Sequence, residues 1–306
     1  MLPVSLPARP NISGAEKEPL LTVADRVHKL LDRLTPAEHK AARVLLDNYP
    51  LIGLESLGKV AARAKVSHPT VLRFVNKLGY DGYPAFQSAL RAELKSRLQS
   101  PLSKRSTHDL RGDEPDFLQN FADAVCSNVQ QGIGSLPRQQ FERVLAMLAD
   151  PSQSIYLLGG RITDAIAQYF YMHLRVLRSG VNQITGPSIS WPDYLVDLDG
   201  RTRLIVFDVR RYQPDVVQFA QEAARRDCHV VLFTDQWLSP IASVAEDVFI
   251  AHIDVPSNWD SMSAMMAQVE ALIAALNYRD WPRLEPRMQE HEAVRMHYQR
   301  VIKPSS

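Results

Sequence analysis

Residues 57–78, LGKVAARAKVSHPTVLRFVNKL, constrain the fold more than any other segment, because their spacing predicts two short helices joined by a tight turn. Ser67 stands where the second helix should begin and its hydroxyl could cap free backbone N–H groups, while Pro69 lies in the first turn, where proline is tolerated. The small or apolar residues that would let the helices close on each other are Val60, Ala61, Ala64, Val66, Val71 and Phe74. We therefore predict a helix-turn-helix.

The second of these helices is expected to present its polar and basic side chains outward. Such side chains reach base edges and phosphates in a major groove. The predicted DNA-binding residues are Ser67, His68, Pro69, Thr70, Arg73, Asn76 and Lys77. Arg73 and Asn76 would read bases, and Thr70, Lys77 and His68 would mostly hold phosphates. Two alternatives stay open: a helical hairpin inside a larger core, and simple helix capping by His68 and Thr70.

Charge is distributed unevenly along the chain, although its net charge is only +1. Residues 21–105 contain 15 Lys and Arg against 7 Asp and Glu, a net charge of +8. Residues 106–306 contain 18 against 25, a net charge of −7. This asymmetry indicates that only the front half approaches a polyanion such as double-stranded DNA.

Several classes of protein are disfavoured by the sequence. No apolar run approaches the ~20 residues of a membrane span, and the N-terminus lacks the apolar region of a signal peptide. Cys126 and Cys228 form no metal-binding or redox motif. We expect a cytoplasmic protein with no membrane partner, no metal and no cofactor.

The 306 residues are enough for about two domains. The predicted order is a disordered leader (1–20), an all-α helix-turn-helix domain of about five helices (21–98), a linker (99–116), an α/β domain (117–280) and an amphipathic tail (281–306). The linker, QSPLSKRSTHDLRGDEP over 99–115, is polar and has no helical or strand period.

Four short apolar runs alternate with helices in the C-terminal part, at 155–158, 204–207, 229–233 and 247–251. This alternation predicts a parallel sheet covered on both faces. Ligands of such sheets bind beyond the carboxyl ends of the strands, so three loops are expected to converge on one crevice. The candidate effector-binding residues there are Gly159, Gly160, Arg161, Thr163, Asp208, Arg210, Arg211, Tyr212, Thr234 and Asp235.

Over residues 22–280 the chain resembles the RpiR family of bacterial transcription regulators, in which a helix-turn-helix domain precedes a SIS (sugar isomerase) domain. The resemblance is carried by AKVS at 64–67, TVLRF at 70–74, KLGY at 77–80 and GYPAF at 82–86. Lys65 departs from the family, which usually has glycine at this turn. The resemblance implies a sequence-specific regulator of metabolic genes rather than an enzyme.

The α/β part departs further from the family. The GxGxS loop of phosphosugar-binding SIS domains reads Gly159-Gly160-Arg161-Ile162-Thr163 here, and the SxSG element reads Asp208-Val209-Arg210-Arg211. In one interpretation, Arg161, Arg210 and Arg211 bind a small anionic metabolite, a sugar phosphate or an organic acid. In the other, Asp208 and the arginines pair internally and the domain serves only dimerisation.

Three functions therefore stay open. The leading one is an effector-responsive regulator that binds DNA as a homodimer or dimer of dimers, since one helix-turn-helix covers only a half-site. The second is the same regulator without an effector. The third is a sugar-phosphate isomerase using Glu270 or His252 as base, which the missing serine-lined loops disfavour.

Overall fold

The computed structural model of the protein describes residues 22–47, 49–97 and 116–302. The predicted leader at 1–20 lies outside these residues, as do residues 99–115 of the predicted linker.

The N-terminal part is helical, as predicted. Its helices are α1 (Val23–Leu30), α2 (Pro36–Asp47), α3 (Leu51–Leu54), α4 (Leu57–Ala64), α5 (His68–Lys77) and α6 (Gly82–Arg97). The sequence missed α3, because one turn of helix is too short to show a period. At the start of α2, the backbone N–H of Thr35 donates to the Glu38 carboxylate at 2.8 Å, and the N–H of Glu38 donates to the Thr35 hydroxyl at 3.4 Å. The reciprocal pair is a capping box, which lets α2 begin at Pro36.

The C-terminal part is a five-stranded parallel sheet with helices, which confirms the predicted fold class. Its elements are α7 (Phe117–Gly134), α8 (Arg138–Ala149), β1 (Ser154–Gly159), α9 (Asp164–Leu177), β2 (Val181–Gln183), α10 (Pro192–Leu195), β3 (Thr202–Asp208), α11 (Pro214–Ala224), β4 (His229–Asp235), β5 (Asp247–Ala251) and α12 (Ser263–Ile302). The strand order is β2-β1-β3-β4-β5. The sequence missed β2, because this edge strand buries only Val181 and shows no apolar run.

The central strands are apolar throughout because both faces of the sheet are covered. On one face, Phe207, Phe233 and Phe249 lie in register on neighbouring strands and stack with ring centroids 4.7 and 4.5 Å apart. On the other face, Val206 and Leu232 belong to the cluster that packs against α11. The stacked rings therefore fix how the three strands align and where their carboxyl ends stand.

The last helix differs from the prediction. The sequence predicted a separate amphipathic tail over 281–306, whereas α12 begins at Ser263 in the α/β part and runs on into this tail as far as Ile302, with a kink at Asp280 (φ −115°, ψ 15°). Pro282 lies two residues after Asp280 and has no backbone N–H to donate to the preceding turn of the helix. None of the described helices is both long and apolar enough to cross a bilayer.

The helical part rests on the α/β part through a contact that includes Leu238. This side chain follows β4, has a left-handed backbone (φ 57°), and is buried in the apolar core of the helical part. In a second contact between the two parts, the imidazole of His252 lies 3.7 Å from the carboxylate of Asp25, and both side chains are buried. Burial lowers the pKa of His252, so the contact is made by a largely neutral ring at pH 7.

A partly buried carboxyl group, that of Glu93 on α6, anchors the start of α1. Its Oε1 atom accepts a hydrogen bond from the backbone N–H of Val23 at 2.7 Å, and its Oε2 atom contacts the Tyr49 hydroxyl. Burial raises the pKa of Glu93 to about 8. The folded protein therefore holds a proton on Glu93 at neutral pH.

We expect this proton to make stability depend on pH. The unfolded chain releases it near pH 4.5 and the folded protein only near pH 8, so stability should fall as pH rises through this window. Glu93→Gln cannot titrate and should gain about 1–3 kcal/mol relative to wild type between pH 5 and 8. Unfolding by circular dichroism at both pH values checks this; an equal pH response in the two proteins contradicts it.

Candidate functional site

The turn between α4 and α5 has the predicted geometry. Lys65 ends α4 with a left-handed backbone (φ 53°, ψ 46°), and its N–H donates to the carbonyl of Ala62. Without glycine this conformation costs roughly 1 kcal/mol. Val60, Ala61, Ala64, Val71 and Phe74 are buried in the core beneath the turn, which compensates for the strain. The two helices therefore close as the apolar spacing predicted.

The outer face of α5 differs from the prediction at two residues. Thr70, expected to face outward, is 5% exposed. Ser67 makes no capping bond to the backbone, because its hydroxyl bonds that of Thr70 at 2.9 Å. The Thr70 hydroxyl also lies 3.4 Å from the guanidinium of Arg73. The Thr70 hydroxyl, itself bonded to Ser67, thus helps to hold the guanidinium of Arg73 in place. Apart from Thr70, all of the predicted DNA-binding residues are exposed: Ser67, His68, Pro69, Arg73, Asn76 and Lys77.

Lys77 is exposed but tied to the domain. Its ammonium group donates to the Glu38 carboxylate at 2.7 Å, and the Glu38 side chain is only 3% exposed. Burial opposes ionisation of Glu38, but hydrogen bonds from Lys77 and Thr35 hold its pKa below the ordinary value. The pair joins α5 to α2, so Lys77 has a structural role whatever it contacts on DNA.

Replacing Lys77 by methionine should destabilise the helical part by about 1–2 kcal/mol, because the buried Glu38 carboxylate loses its charged partner. The double variant Lys77→Met/Glu38→Gln should recover most of that loss. Urea denaturation of the three proteins measures both effects. A Lys77→Met protein as stable as wild type would show that the ion pair contributes nothing.

The largest group of predicted effector-binding residues surrounds a cavity of about 370 Å³ at the carboxyl ends of β1 and β3. These strands are neighbours where the strand order reverses, which is where open α/β sheets bind ligands. The lining residues are Gly160, Arg161, Ile162, Thr163, Asp208, Val209, Arg210, Arg211, Gln213, Asn258, Trp259, Asp260 and Met262. Six of the ten predicted residues are among them.

The other four predicted residues are Gly159, Tyr212, Thr234 and Asp235. The buried carboxylate of Asp235 accepts hydrogen bonds from the Arg210 N–H at 2.6 Å and the Tyr212 hydroxyl at 2.7 Å. The Thr234 hydroxyl accepts from the N–H of Ser239 at 3.0 Å. Gly159 borders a second cavity of about 370 Å³, beyond Gln213. The loop after β4 therefore does not line the first cavity, but its hydrogen bonds to Arg210 and Tyr212 hold the loop after β3 in place.

The loop after β1 is packed tightly. A β-carbon on Gly159 would stand 2.4 Å from the Asp164 backbone, and one on Gly160 would stand 2.7 Å from the Gln213 amide oxygen. The buried Thr163 hydroxyl donates to the Phe207 carbonyl at 2.6 Å and accepts from the Gly160 N–H at 2.8 Å. The strand therefore passes into α9 through a tightly packed loop, residues 160–163.

The three arginines of the cavity are not equivalent. Arg210 is buried: its guanidinium forms ion pairs with Asp254 at 2.9 Å and Asp260 at 3.0 Å, and lies 4.2 Å from the ring centroid of Trp237. Asp208 is also buried and accepts a hydrogen bond from the Ser239 hydroxyl. Arg161 and Arg211 are exposed, and neither forms an ion pair with another residue in the part of the chain that the structure describes.

Arg211 keeps a left-handed backbone, with φ at 67°. It stands where the SxSG element has glycine, the residue that adopts such a backbone most easily. Strain of this kind costs about 1–3 kcal/mol and is concentrated at functional sites.

The list of predicted effector-binding residues omits several residues of the cavity, including Gln213, Trp259 and Asp260. Gln213 lies directly before α11, and no motif in the sequence distinguishes it from the other residues that follow β3. Trp259 and Asp260 belong to the loop that follows β5. Because all five strands are parallel, this loop lies at the same edge as the other three, and the fourth apolar run could have indicated it.

Comparison with known proteins agrees with the two-part architecture. The sequence profile described as "Helix-turn-helix domain, rpiR family" matches residues 21–97, and the "SIS domain" profile matches residues 147–275. The chain therefore has the two domains of an RpiR-family regulator in the same order. The predicted resemblance is thereby confirmed.

Among curated relatives, a "Bifunctional protein glk" of Paraburkholderia xenovorans is 29% identical over 171 residues, 56% of this RpiR chain. The chain spans only 25% of that relative's length. An "Uncharacterized HTH-type transcriptional regulator in aarA 3'region" of Providencia stuartii is 22% identical over 217 residues, which are 70% of this chain and 74% of the relative. The regulator relatives support a role in transcription.

Two solved structures share the fold. The sugar isomerase domain of an RpiR transcription factor from Sphaerobacter thermophilus superposes with a TM-score of 0.52 at 22% identity, covering 57% of this chain and 97% of that one. The Vibrio vulnificus NanR protein complexed with ManNAc-6P superposes with a TM-score of 0.51 at 17% identity, covering 90% and 99%.

Proposed function

We propose that this RpiR-family chain is a DNA-binding transcription regulator whose affinity for its operator is set by a small anionic metabolite in the cavity of the SIS domain. The observation that carries the proposal is the pairing, in one chain, of an exposed basic helix with a cavity bordered by two exposed arginines.

The DNA contact would be made by α5. Arg73 and Asn76 project from its exposed face and have the chemistry for base edges, and His68 at its start suits a phosphate. Thr70 is buried and Lys77 is paired with Glu38. Both residues therefore stabilise α5 more than they add to the surface that would contact DNA. The positive charge of residues 21–105 favours approach to DNA from this side.

A route between the two sites supports effector control. Arg210 lines the cavity and holds Asp254 at 2.9 Å. Asp254 is two residues beyond His252, whose ring contacts Asp25 at the first turn of α1. A ligand that changes the geometry of the loop after β5 would therefore change how the helical part rests on the SIS domain.

The chain would not act as an isomerase. The two residues considered as bases, Glu270 and His252, do not line the cavity. Glu270 accepts a hydrogen bond from the Tyr169 hydroxyl at 3.2 Å, and His252 is buried against Asp25. A ligand-blind regulator is the second candidate, and the internal pairing of Arg210 favours it.

Fluorescence anisotropy on DNA from upstream of its own gene tests the DNA-binding function. We expect tight binding that survives non-specific competitor and weakens steeply with salt. Arg73→Ala should lose about 1–3 kcal/mol on the operator and relax specificity at one base pair. Arg91→Ala, which removes an exposed arginine of α6, is the matched charge control. Equal losses in both variants, or on every DNA sequence, would contradict base reading by Arg73.

A dimer is proposed because one helix-turn-helix reads only a half-site. The C-terminal half of α12 exposes Val294, Tyr298 and Ile302, each more than 60% accessible, and is the proposed contact surface. Sedimentation velocity should give at least twice the mass of one chain, and Val294→Glu/Tyr298→Glu should shift the protein towards monomer. A monomeric wild-type protein at micromolar concentration would contradict the proposal.

A further inference from the structure

An interdomain cavity of about 510 Å³ lies where the helical part rests on the SIS domain. The helical part contributes the end of α1, the turn after it and one side of α2, and the SIS domain contributes strand β5 and the segment between β4 and β5. The lining residues are His28, Leu31, His39, Lys40, Arg43, Leu46, Asp47, Leu238, Ala242 and Val248. None of them lines the cavity at the carboxyl ends of β1 and β3, so this is a separate cavity.

The floor of the interdomain cavity is apolar and comes from both parts of the protein. Leu31 and Leu46 belong to the helical part, and Leu238, Ala242 and Val248 belong to the SIS domain. Leu238 is only 4% exposed, whereas the other four are partly exposed. Packing between the two parts therefore leaves apolar surface accessible, and a hydrocarbon group placed here would remove that surface from water.

The side of the cavity that α2 forms is basic. His39, Lys40 and Arg43 are exposed along it, and Asp47 at the end of the helix is the one acidic residue of the lining. Neither Lys40 nor Arg43 forms an ion pair with another residue of the described chain, in contrast to Lys77. Their charges therefore remain available to an anionic group at the mouth of the cavity.

A polar side chain without a protein partner also faces this cavity. The ring of His28, in the last turn of α1, lines the cavity and makes no hydrogen bond to any residue that the structure describes. Burial lowers the pKa of His28 more than the nearby Asp25 carboxylate raises it, so the ring is neutral at pH 7 and carries one N–H donor. Polar groups in such positions are normally hydrogen-bonded, and a ligand that accepts a hydrogen bond would satisfy this one.

We infer that the interdomain cavity binds an amphipathic anion, a molecule with an apolar body and an anionic head group. The body lies against Leu31, Leu238 and Val248, and Lys40 and Arg43 bind the head group at the mouth. A carboxylate and a phosphate share this chemistry. The inference goes beyond the proposed function, because it concerns a different cavity from the one proposed for the effector.

Isothermal titration of the full chain without DNA tests the class of ligand. Octanoate and octyl phosphate present the same apolar body with two different anionic head groups, and octyltrimethylammonium presents it with a cation. We expect at least one of the anions to bind a single site with a dissociation constant of about 1 mM or tighter, and the cation to bind about tenfold more weakly or not at all. Comparison of the two anions identifies the preferred head group. No binding of either anion, or equal affinity for the cation, would overturn the inference.

Two variants locate the site. Lys40→Gln/Arg43→Gln removes the two charges at the mouth without touching the core, and should weaken the anion about threefold to tenfold. Ala242→Leu fills part of the apolar floor and should weaken it as well. The matched control is Arg91→Gln/Lys95→Gln, which removes two exposed cations of α6 that do not line the cavity. Its affinity for the anion should equal that of wild type, since distant surface charges are screened by salt.

The remaining outcomes separate this site from the two other functions of the protein. If Lys40→Gln/Arg43→Gln weakens binding to DNA but not binding of the anion, the two cations belong to the DNA-contacting surface and the inference is overturned. It is also overturned if Arg161→Ala/Arg211→Ala, in the other cavity, abolishes anion binding while Ala242→Leu leaves it unchanged. That second result would leave the proposed effector site intact.

Discussion

The buried guanidinium of Arg210 is the interaction on which the ligand end of the sheet depends. It joins the loop after β3 to the loop after β5 through Asp254 and Asp260, and it packs on the ring of Trp237 after β4. A buried cation is expensive to desolvate, so it persists only where several partners satisfy it. Both carboxylates and the aromatic face contact this one guanidinium, so it joins the three loops into one packed unit.

This unit reaches the helical part through a short path. The loop that Arg210 holds by Asp254 begins with His252, and His252 contacts Asp25 in the capping box of α1. Leu238, from the loop after β4, is buried in the helical core. These two contacts with the helical part therefore start from loops that Arg210 touches. Geometry at the cavity and geometry at the DNA-reading part are linked by packing within one chain.

The departures from the family pattern form a consistent set. Asp208 replaces a serine and is bonded by Ser239, while Arg211 replaces a glycine and keeps its left-handed backbone. Gln213 fills the space beside Gly160 that a ligand would otherwise reach. Each change departs from the family pattern, yet the cavity remains open and two exposed arginines border it.

The sequence by itself determined the two-part fold, because helical and strand periods report directly which side chains must be buried. It located the helix-turn-helix and the strand ends, including Arg73, Arg161 and Arg211. It could not show that Thr70 is buried. Helical periodicity places Thr70 on the outer face and does not report its hydrogen bond with Ser67. It also could not find the partners of Arg210, since Asp254 and Asp260 are more than 40 residues away. Pairing across a sheet edge is decided only by tertiary structure, because side-chain contacts there depend on strand order and not on local spacing.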